Sequence, residues 1–318
     1  MSAAASPALP GADPFEHIGL LYSAPGEYAE GCEAFARRGL EAGDPVLVAV
    51  PGGNGSLIRE RLGDRAAEVR FADMAVAGRN PGRIIPRVLL DFARRNAGRR
   101  VWIIGEPIWP GRSAVEYPAC AAHEALINAA FSGREAAILC PYDTTGLDPD
   151  AVRDSHRTHP IMSDGTTSWE SPHYTDPAEA AALFDRPLPP PPPGAHREGF
   201  ASLGDLAALR ATLARHARAA GLAPERVAEV LMAVNELAAN AVEHTGAGGT
   251  LTVWAEPGAL VCQIDDTGHI RDPLAGRVPP ERSHERGHGL VLVNELADLV
   301  RRHDHAGGTT TRLYVTRP

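Results

Sequence analysis

The chain has 318 residues, 44% of them hydrophobic, with a net charge of −9 and no lysine among its 31 basic residues. That much apolar material supplies two cores, and no apolar run approaches the ~18 residues a membrane helix needs. Arginines cluster no further than pairs, which argues against direct nucleic-acid binding, since a phosphate backbone demands a dense basic surface. Cys32, Cys120, Cys140 and Cys262 are far apart and form no CxxC, so the sequence predicts neither a disulfide nor a zinc site and fits a reducing cytoplasm.

Residues 1–13 are rich in Ala and Pro and lack the basic start and apolar stretch of a secretory signal; they read as a tail. From 14 to 185 the pattern alternates. Strand-like runs at 18–22, 45–50, 69–71, 100–105 and 136–140 are separated by helix-like stretches at 27–41, 57–62, 83–96 and 114–131. The order predicts an α/β three-layer domain on a mainly parallel sheet. Runs such as Val46-Leu-Val-Ala-Val50 are continuously apolar, as in strands buried on both faces. The loop after Val50, Pro51-Gly-Gly-Asn-Gly-Ser56, lacks the lysine of a phosphate-binding P-loop.

Residues 186–197 include five consecutive prolines, Pro189 to Pro193. Such a run favours an extended helix and a semi-rigid spacer, or a ligand for a proline-reading domain. Beyond it, 198–318 follow a different order: helices at 203–220 and 224–244, strands at 250–256 and 259–265, a Gly/Pro/Arg-rich loop, a helix at 289–299 and a strand at 309–315. The close strand pair predicts a two-layer α+β sandwich.

In the second of these helices Val227, Val230, Leu231, Val234, Leu237, Ala238 and Ala241 form one apolar stripe. At ~100° per residue, Glu236 and Asn240 fall about 180° and 220° from its start, as neighbours on the far face. A carboxamide oxygen is a hard ligand for Mg²⁺, and a carboxylate accepts a proton from an attacking hydroxyl; alone, the pair is also an ordinary polar face. Asp266-Thr-Gly268 leaves a strand, where a carboxylate can accept the amine of adenine and the glycine admits the base. Gly287-His-Gly289-Leu290 opens a helix whose N–H groups suit phosphate. Thr310, at the start of the last strand, offers a hydroxyl to back up the adenine contact.

The order and spacing of these segments resemble the GHKL (Bergerat-fold) ATPase superfamily. Glu236-Leu-Ala-Ala-Asn240 corresponds to its N box, Asp266-x-Gly268 to its first glycine box and Gly287-x-Gly289-Leu290 to its second. The resemblance implies ATP and Mg²⁺ as cofactors, with Asn240 on the metal and a mobile lid at 272–286. Val234-Asn-Glu-Leu-Ala-Ala-Asn-Ala-Val-Glu-His244 and Arg286-Gly-His-Gly-Leu-Val-Leu-Val-Asn-Glu-Leu-Ala-Asp298 look most like the anti-sigma-factor serine kinases. For that branch the resemblance implies Glu236 as catalytic base, a sigma factor as partner, a STAS-type anti-sigma-factor antagonist as phosphorylated substrate, and a homodimer. Departures are His269 or Ile270 in place of the third glycine, and Glu243 where a basic residue is frequent. The alternatives are an ATP- and sigma-binding module that transfers no phosphate, and a sensor histidine kinase. The latter lacks room for a two-helix hairpin, and the sole histidine of its single helix, His216, reads as a surface residue.

Glu16-His-Ile-Gly-Leu-Leu-Tyr22, Cys140-Pro-Tyr-Asp143 and Thr158-His-Pro160 are similar to the MEDS sensory domain. The resemblance implies a small-ligand sensor. His17, Tyr22, Glu106, Tyr142, Asp143 and His159 stand at predicted strand ends, where parallel sheets place ligands; for each, capping or packing is the structural alternative.

Overall fold

The computed structural model describes residues 13–279 and 287–317. The first domain is a seven-stranded sheet in the order β3-β2-β4-β5-β1-β6-β7. Its strands are β1 (Phe15–Tyr22), β2 (Val46–Val50), β3 (Arg70–Asp73), β4 (Val101–Gly105), β5 (Ala136–Asp143), β6 (Ile161–Ser163) and β7 (Ser168–Glu170). All neighbours are parallel except the β6–β7 hairpin. That hairpin was absent from the predicted elements: three exposed residues in β7 carry too little pattern to read.

Alternation along the strands divides the core in two. Ile18, Leu20, Tyr22, Val46, Val48 and Trp102 pack under α1 (Pro25–Glu41) and α2 (Gly52–Leu62). Leu47, Ile103, Ile138, Cys140 and Tyr142 face the other way. That second face is covered by α3 (Met74–Ala77), α4 (Leu90–Arg95), α5 (Tyr117–Phe131), α6 (Pro149–Thr158) and α7 (Pro177–Ala182). The layering is therefore helices, sheet, helices, as the continuous apolar strands imply. Two caps fix α6: Asp148 accepts from the Asp150 N–H at 2.8 Å, and Pro160 halts the helix so that His159 is extended.

The second domain is a five-stranded antiparallel sheet, β11-β12-β10-β9-β8. Its strands are β8 (His196–Phe200), β9 (Gly249–Glu256), β10 (Ala259–Asp266), β11 (Leu299–His305) and β12 (Gly308–Thr316). One face is covered by α8 (Leu206–Ala219), α9 (Pro224–Thr245) and α10 (Gly289–Leu296). The two edge strands were not predicted. β8 takes His196 and Arg197 out of the expected linker, and β11 shortens the last predicted helix to Leu296. Both edges are rich in charge and histidine, which hides their period-2 pattern and also keeps them from pairing with another chain.

The polyproline stretch meets the second sheet at its first residue, where Arg312 Nη2 donates to the Pro189 carbonyl at 2.6 Å. No helix among the described residues is long and apolar enough to cross a membrane.

Candidate functional site

The apolar stripe of α9 drives its packing on the second sheet. Val227, Val230, Val234, Leu237, Ala238 and Ala241 are buried with Leu251, Leu260, Cys262, Ile264 and Leu313. Pro224 opens the helix, and Gly246, in the left-handed conformation, closes it. Glu236 and Asn240 remain half-exposed, turned to α10. A side chain on Gly289 would put its first carbon 2.8 Å from Glu236 Oε2 and 3.3 Å from Asn240 Nδ2. The N box and the second glycine box therefore touch, and the helix N-terminus is aimed where the carboxylate and carboxamide stand. Leu290 packs at the margin of the core beneath, and Gly287 is exposed with φ +97.

The first glycine box joins from the end of β10. Asp266 Oδ1 accepts from the Gly268 N–H at 2.7 Å. A carbon on Gly268 would meet Thr245 Cγ2 at 2.9 Å. Thr245 is five residues past Asn240, about 7 Å along the helix axis. The Asp266 turn thus meets the C-terminal end of α9, beyond Asn240 along the axis and round the helix from it. Burial raises the Asp266 carboxyl above its ordinary range, against the Gly268 N–H, which lowers it. At the next strand Gly308, with φ +131, lies against the Asp266 carbonyl; any side chain there would collide with that oxygen.

Thr310 does not join this group. In the β10–β12 ladder Asp266 faces Thr309 and Asp265 faces Thr310. Strand alternation sends Thr310 to the opposite face, where its hydroxyl donates to Asp265 Oδ1 at 2.7 Å. The hydroxyl on the Asp266 side is that of Thr309, which donates to the Gly268 carbonyl at 2.7 Å. Its position follows from register, which the run of three threonines conceals. Of the expected lid, 280–286 lie outside the described residues. The preceding part is docked: Leu274 and Val278 pack against the first domain's core, and Asn294 Nδ2 donates to the Gly276 carbonyl at 3.0 Å.

The two domains meet chiefly through α10 and β11. Asn80 is buried and donates to the Asn294 carbonyl at 2.7 Å. Arg87 Nε reaches Glu295 at 2.6 Å, Arg79 pairs with Asp298, and Arg301 donates to the Val115 carbonyl at 2.5 Å. His303 Nδ1 lies 2.9 Å from Asp185 Oδ1.

In the first domain the expected sensory residues split. His17, Tyr142 and His159 share one face: the two imidazole centroids are 4.0 Å apart, and Tyr142 meets His159 edge-on at 5.4 Å. Burial, with His159 adding to it, holds His17 down at about 4. Tyr22 lies on the opposite face against Tyr28. There Glu106 accepts from the Tyr28 hydroxyl at 3.0 Å and from Asn54 Nδ2 at 2.9 Å. Burial pushes Glu106 up to about 7. Asp143 joins neither; it accepts from Thr145 and Gly146 N–H groups at 2.9 Å as a turn former. Sequence reasoning missed Glu124 and Asn128 on α5. The signal was a carboxylate and a carboxamide four apart inside a helix whose residues 118–121 and 123–128 are all buried.

Residues 16–160 match the family model described as MEDS, the methanogen/methylotroph, DcmR sensory domain. Residues 200–315 match that of the histidine kinase-like ATPase domain. The chain is a MEDS domain joined to a histidine kinase-like ATPase domain. No curated protein matches it. Among solved structures it is similar to the RsbU and RsbW domains of a Mycobacterium tuberculosis protein, at 22% identity and a TM-score of 0.31 over 40% of this chain. The match spans about a third (34%) of that protein's chain. The α9–α10 contact and the Asp266 turn both fall inside the ATPase domain, and the histidine cluster falls inside the MEDS domain.

Proposed function

We propose that the ATPase domain binds Mg·ATP and works as an anti-sigma-factor-type protein serine/threonine kinase, governed by the MEDS domain. The observation that carries this is the convergence of Glu236, Asn240 and Gly289, with Asp266 at the far end of the same helix. The donor set fits the ligand. Asn240 offers a hard amide oxygen for Mg²⁺. The start of α10 presents free N–H groups to phosphate, and Gly289 leaves room that a methyl group would fill. Asp266, half-buried and ionisable, accepts the adenine amine, and Thr309 fixes the turn beneath it.

Bound Mg·ATP supplies the transferable phosphoryl group. Glu236 stands beside Gly289 and takes the proton of the incoming hydroxyl. The substrate in this reading is a serine or threonine of a STAS-type anti-sigma-factor antagonist. A sigma factor is the second partner, the working unit is a homodimer, and the compartment is the cytoplasm. What supports this branch is the wording of the N box and of the Arg286–Asp298 segment. Control by the MEDS domain is supported by its grip on α10 and on the residues leading into the lid.

The histidine-kinase reading has less support. A single helix, α8, lies between β8 and α9, and its His216 stacks on His196 at 4.8 Å rather than standing on a hairpin. Incubation with labelled ATP and a cognate antagonist tests the proposal. Acid-stable label on the antagonist, lost in Glu236→Gln, supports it. Acid-labile label on the chain itself selects the histidine kinase, and no label with intact sigma-factor binding selects a pure binding module.

A further inference from the structure

Within the MEDS domain four side chains from four elements converge: His17 on β1, Glu124 on α5, Cys140 on β5 and His159 at the end of α6. Each is at most 1% exposed. Their potential ligand atoms all lie within 4.8 Å of one another.

Groups outside the cluster set both imidazole tautomers. Asn128 Nδ2 donates to the Thr158 and Ala125 carbonyls at 2.7 and 3.2 Å, so its oxygen is the atom that faces His17. His17 Nδ1, 3.1 Å from that oxygen, must donate, leaving a lone pair on Nε2. His159 Nδ1 lies 2.9 Å from the Ser155 carbonyl and donates there, leaving Nε2 in the same state. Both lone pairs sit against one carboxylate oxygen: Glu124 Oε2 is 3.3 Å from His17 Nε2 and 3.1 Å from His159 Nε2. Neither oxygen of Glu124 nor His159 Nε2 has a hydrogen bond among the described residues. The Cys140 thiol can donate to the His17 lone pair at 3.4 Å, but Glu124 Oε2 and His159 Nε2 still face each other as acceptors in a dry interior, and they repel unless a cation lies between them.

A proton or a metal ion would serve, and the distances separate them. A charge-assisted hydrogen bond closes to ~2.7–2.9 Å and runs straight. A tetrahedral zinc ion, with N and O ligands at ~2.0 Å and S at ~2.3 Å, sets N–O edges near ~3.3 Å and N–S edges near ~3.5 Å. Three of the six edges here are of that length, at 3.1, 3.3 and 3.4 Å, and all lie within 4.8 Å, so the ligand atoms need to draw in only modestly to seat an ion.

We propose that the MEDS domain holds one zinc(II)-class transition-metal ion between His17 Nε2, His159 Nε2, Cys140 Sγ and the Glu124 carboxylate. Binding releases the Cys140 thiol proton to solvent and involves no change of oxidation state. Four protein ligands make a closed site, and the Asn128 amide and Ser155 carbonyl are the outer contacts that orient its imidazoles. The lack of a CxxC bears only on ligands close in sequence; a parallel sheet brings together residues more than a hundred positions apart, as it does His17 and Cys140.

The full chain, stripped with chelator and titrated with Co²⁺, tests the assignment. One equivalent should bind with tetrahedral ligand-field absorption and a sulfur-to-cobalt charge-transfer band, and Zn²⁺ should abolish both. Cys140→Ser should lose the charge-transfer band, while Cys262→Ser, buried in the other domain, should keep it. Asn128→Ala should retain the spectrum with roughly 10–100-fold weaker affinity, the usual effect of losing an outer-shell partner. Absence of stoichiometric metal, or an unchanged spectrum in Cys140→Ser, overturns the assignment and leaves a shared proton in its place. X-ray absorption on the zinc-loaded wild-type chain needs no variant to fold: one sulfur among four close neighbours is expected, and a shell of oxygen and nitrogen alone refutes it.

Discussion

Replacing Gly289 by Ala separates binding from folding in the ATPase domain. Gly289 is the first residue of α10 and its φ is not positive, so alanine meets no backbone penalty and gains up to ~1 kcal/mol of helix propensity. Against that, the new methyl would stand 2.8 Å from Glu236 Oε2 and 3.3 Å from Asn240 Nδ2. Both are ends of flexible side chains, and turning them costs of order 0.5–1.5 kcal/mol. The two terms nearly cancel, so stability should move by less than about 1 kcal/mol. Nucleotide has no such compensation: the methyl occupies space between the helix N-terminus and the metal-binding amide. Calorimetric titration with Mg·ATP should show affinity down at least ~10-fold, or ~1.4 kcal/mol, with a thermal midpoint shifted by only a few degrees. Affinity within twofold of wild type would refute the placement of phosphate at α10. A large loss of stability would instead show that Gly289 serves packing.

Three further outcomes follow from the geometry. Asp266→Ala should remove a charge-assisted hydrogen bond to adenine worth ~1.5–3 kcal/mol, weakening ATP roughly 10–100-fold and erasing its preference over GTP in competition binding. Glu106 is raised from 4.5 to about 7 by burial, so the folded state binds its proton more tightly than the unfolded chain. Its contribution is full below pH ~4.5 and is lost as pH rises through ~7, a swing of roughly 3 kcal/mol by linkage. Gln does not titrate and stands in for the protonated acid, so wild type and Glu106→Gln should be alike at low pH, and denaturation should show wild type falling progressively below the variant across that window; a flat difference contradicts the buried-acid assignment. Asn80→Ala should leave the Asn294 carbonyl without its buried donor, at a cost of ~1–3 kcal/mol, and free α10. Mg·ATP affinity should rise, and unchanged affinity would remove the domain contact as a restraint.

Much of the candidate site in the ATPase domain was legible because a 3.6-residue period exposes which residues face away from the core. Once the apolar stripe of α9 is assigned to the core, Glu236 and Asn240 can only lie on the other side. The Asp266 turn was equally plain, since it ends a strong strand. Thr309 was not, because three consecutive threonines give no local clue to which one faces Asp266; only the ladder decides. The edge strands β8 and β11 escaped because their side chains obey solvent and the partner domain rather than one buried face. In the MEDS domain the continuous strands announced the parallel sheet, yet not which residues share a face across it. His17 and Tyr22 look alike as strand-end candidates, but five positions apart in a strand they point opposite ways. Glu124 was hidden by its helix, whose buried surroundings gave no amphipathic pattern to depart from. The polyproline run reads as a free spacer until Arg312 is seen holding Pro189.

In the proposed reading Asn240 presents Mg²⁺ to a nucleotide held against α9. Calorimetry of ATP binding to the full chain, with and without Mg²⁺, for wild type and Asn240→Ala, decides whether it does. One site whose affinity collapses both on chelation and in the variant is the expected result. Equal binding without the ion, or by the variant, would contradict it, as would the absence of any heat at millimolar nucleotide.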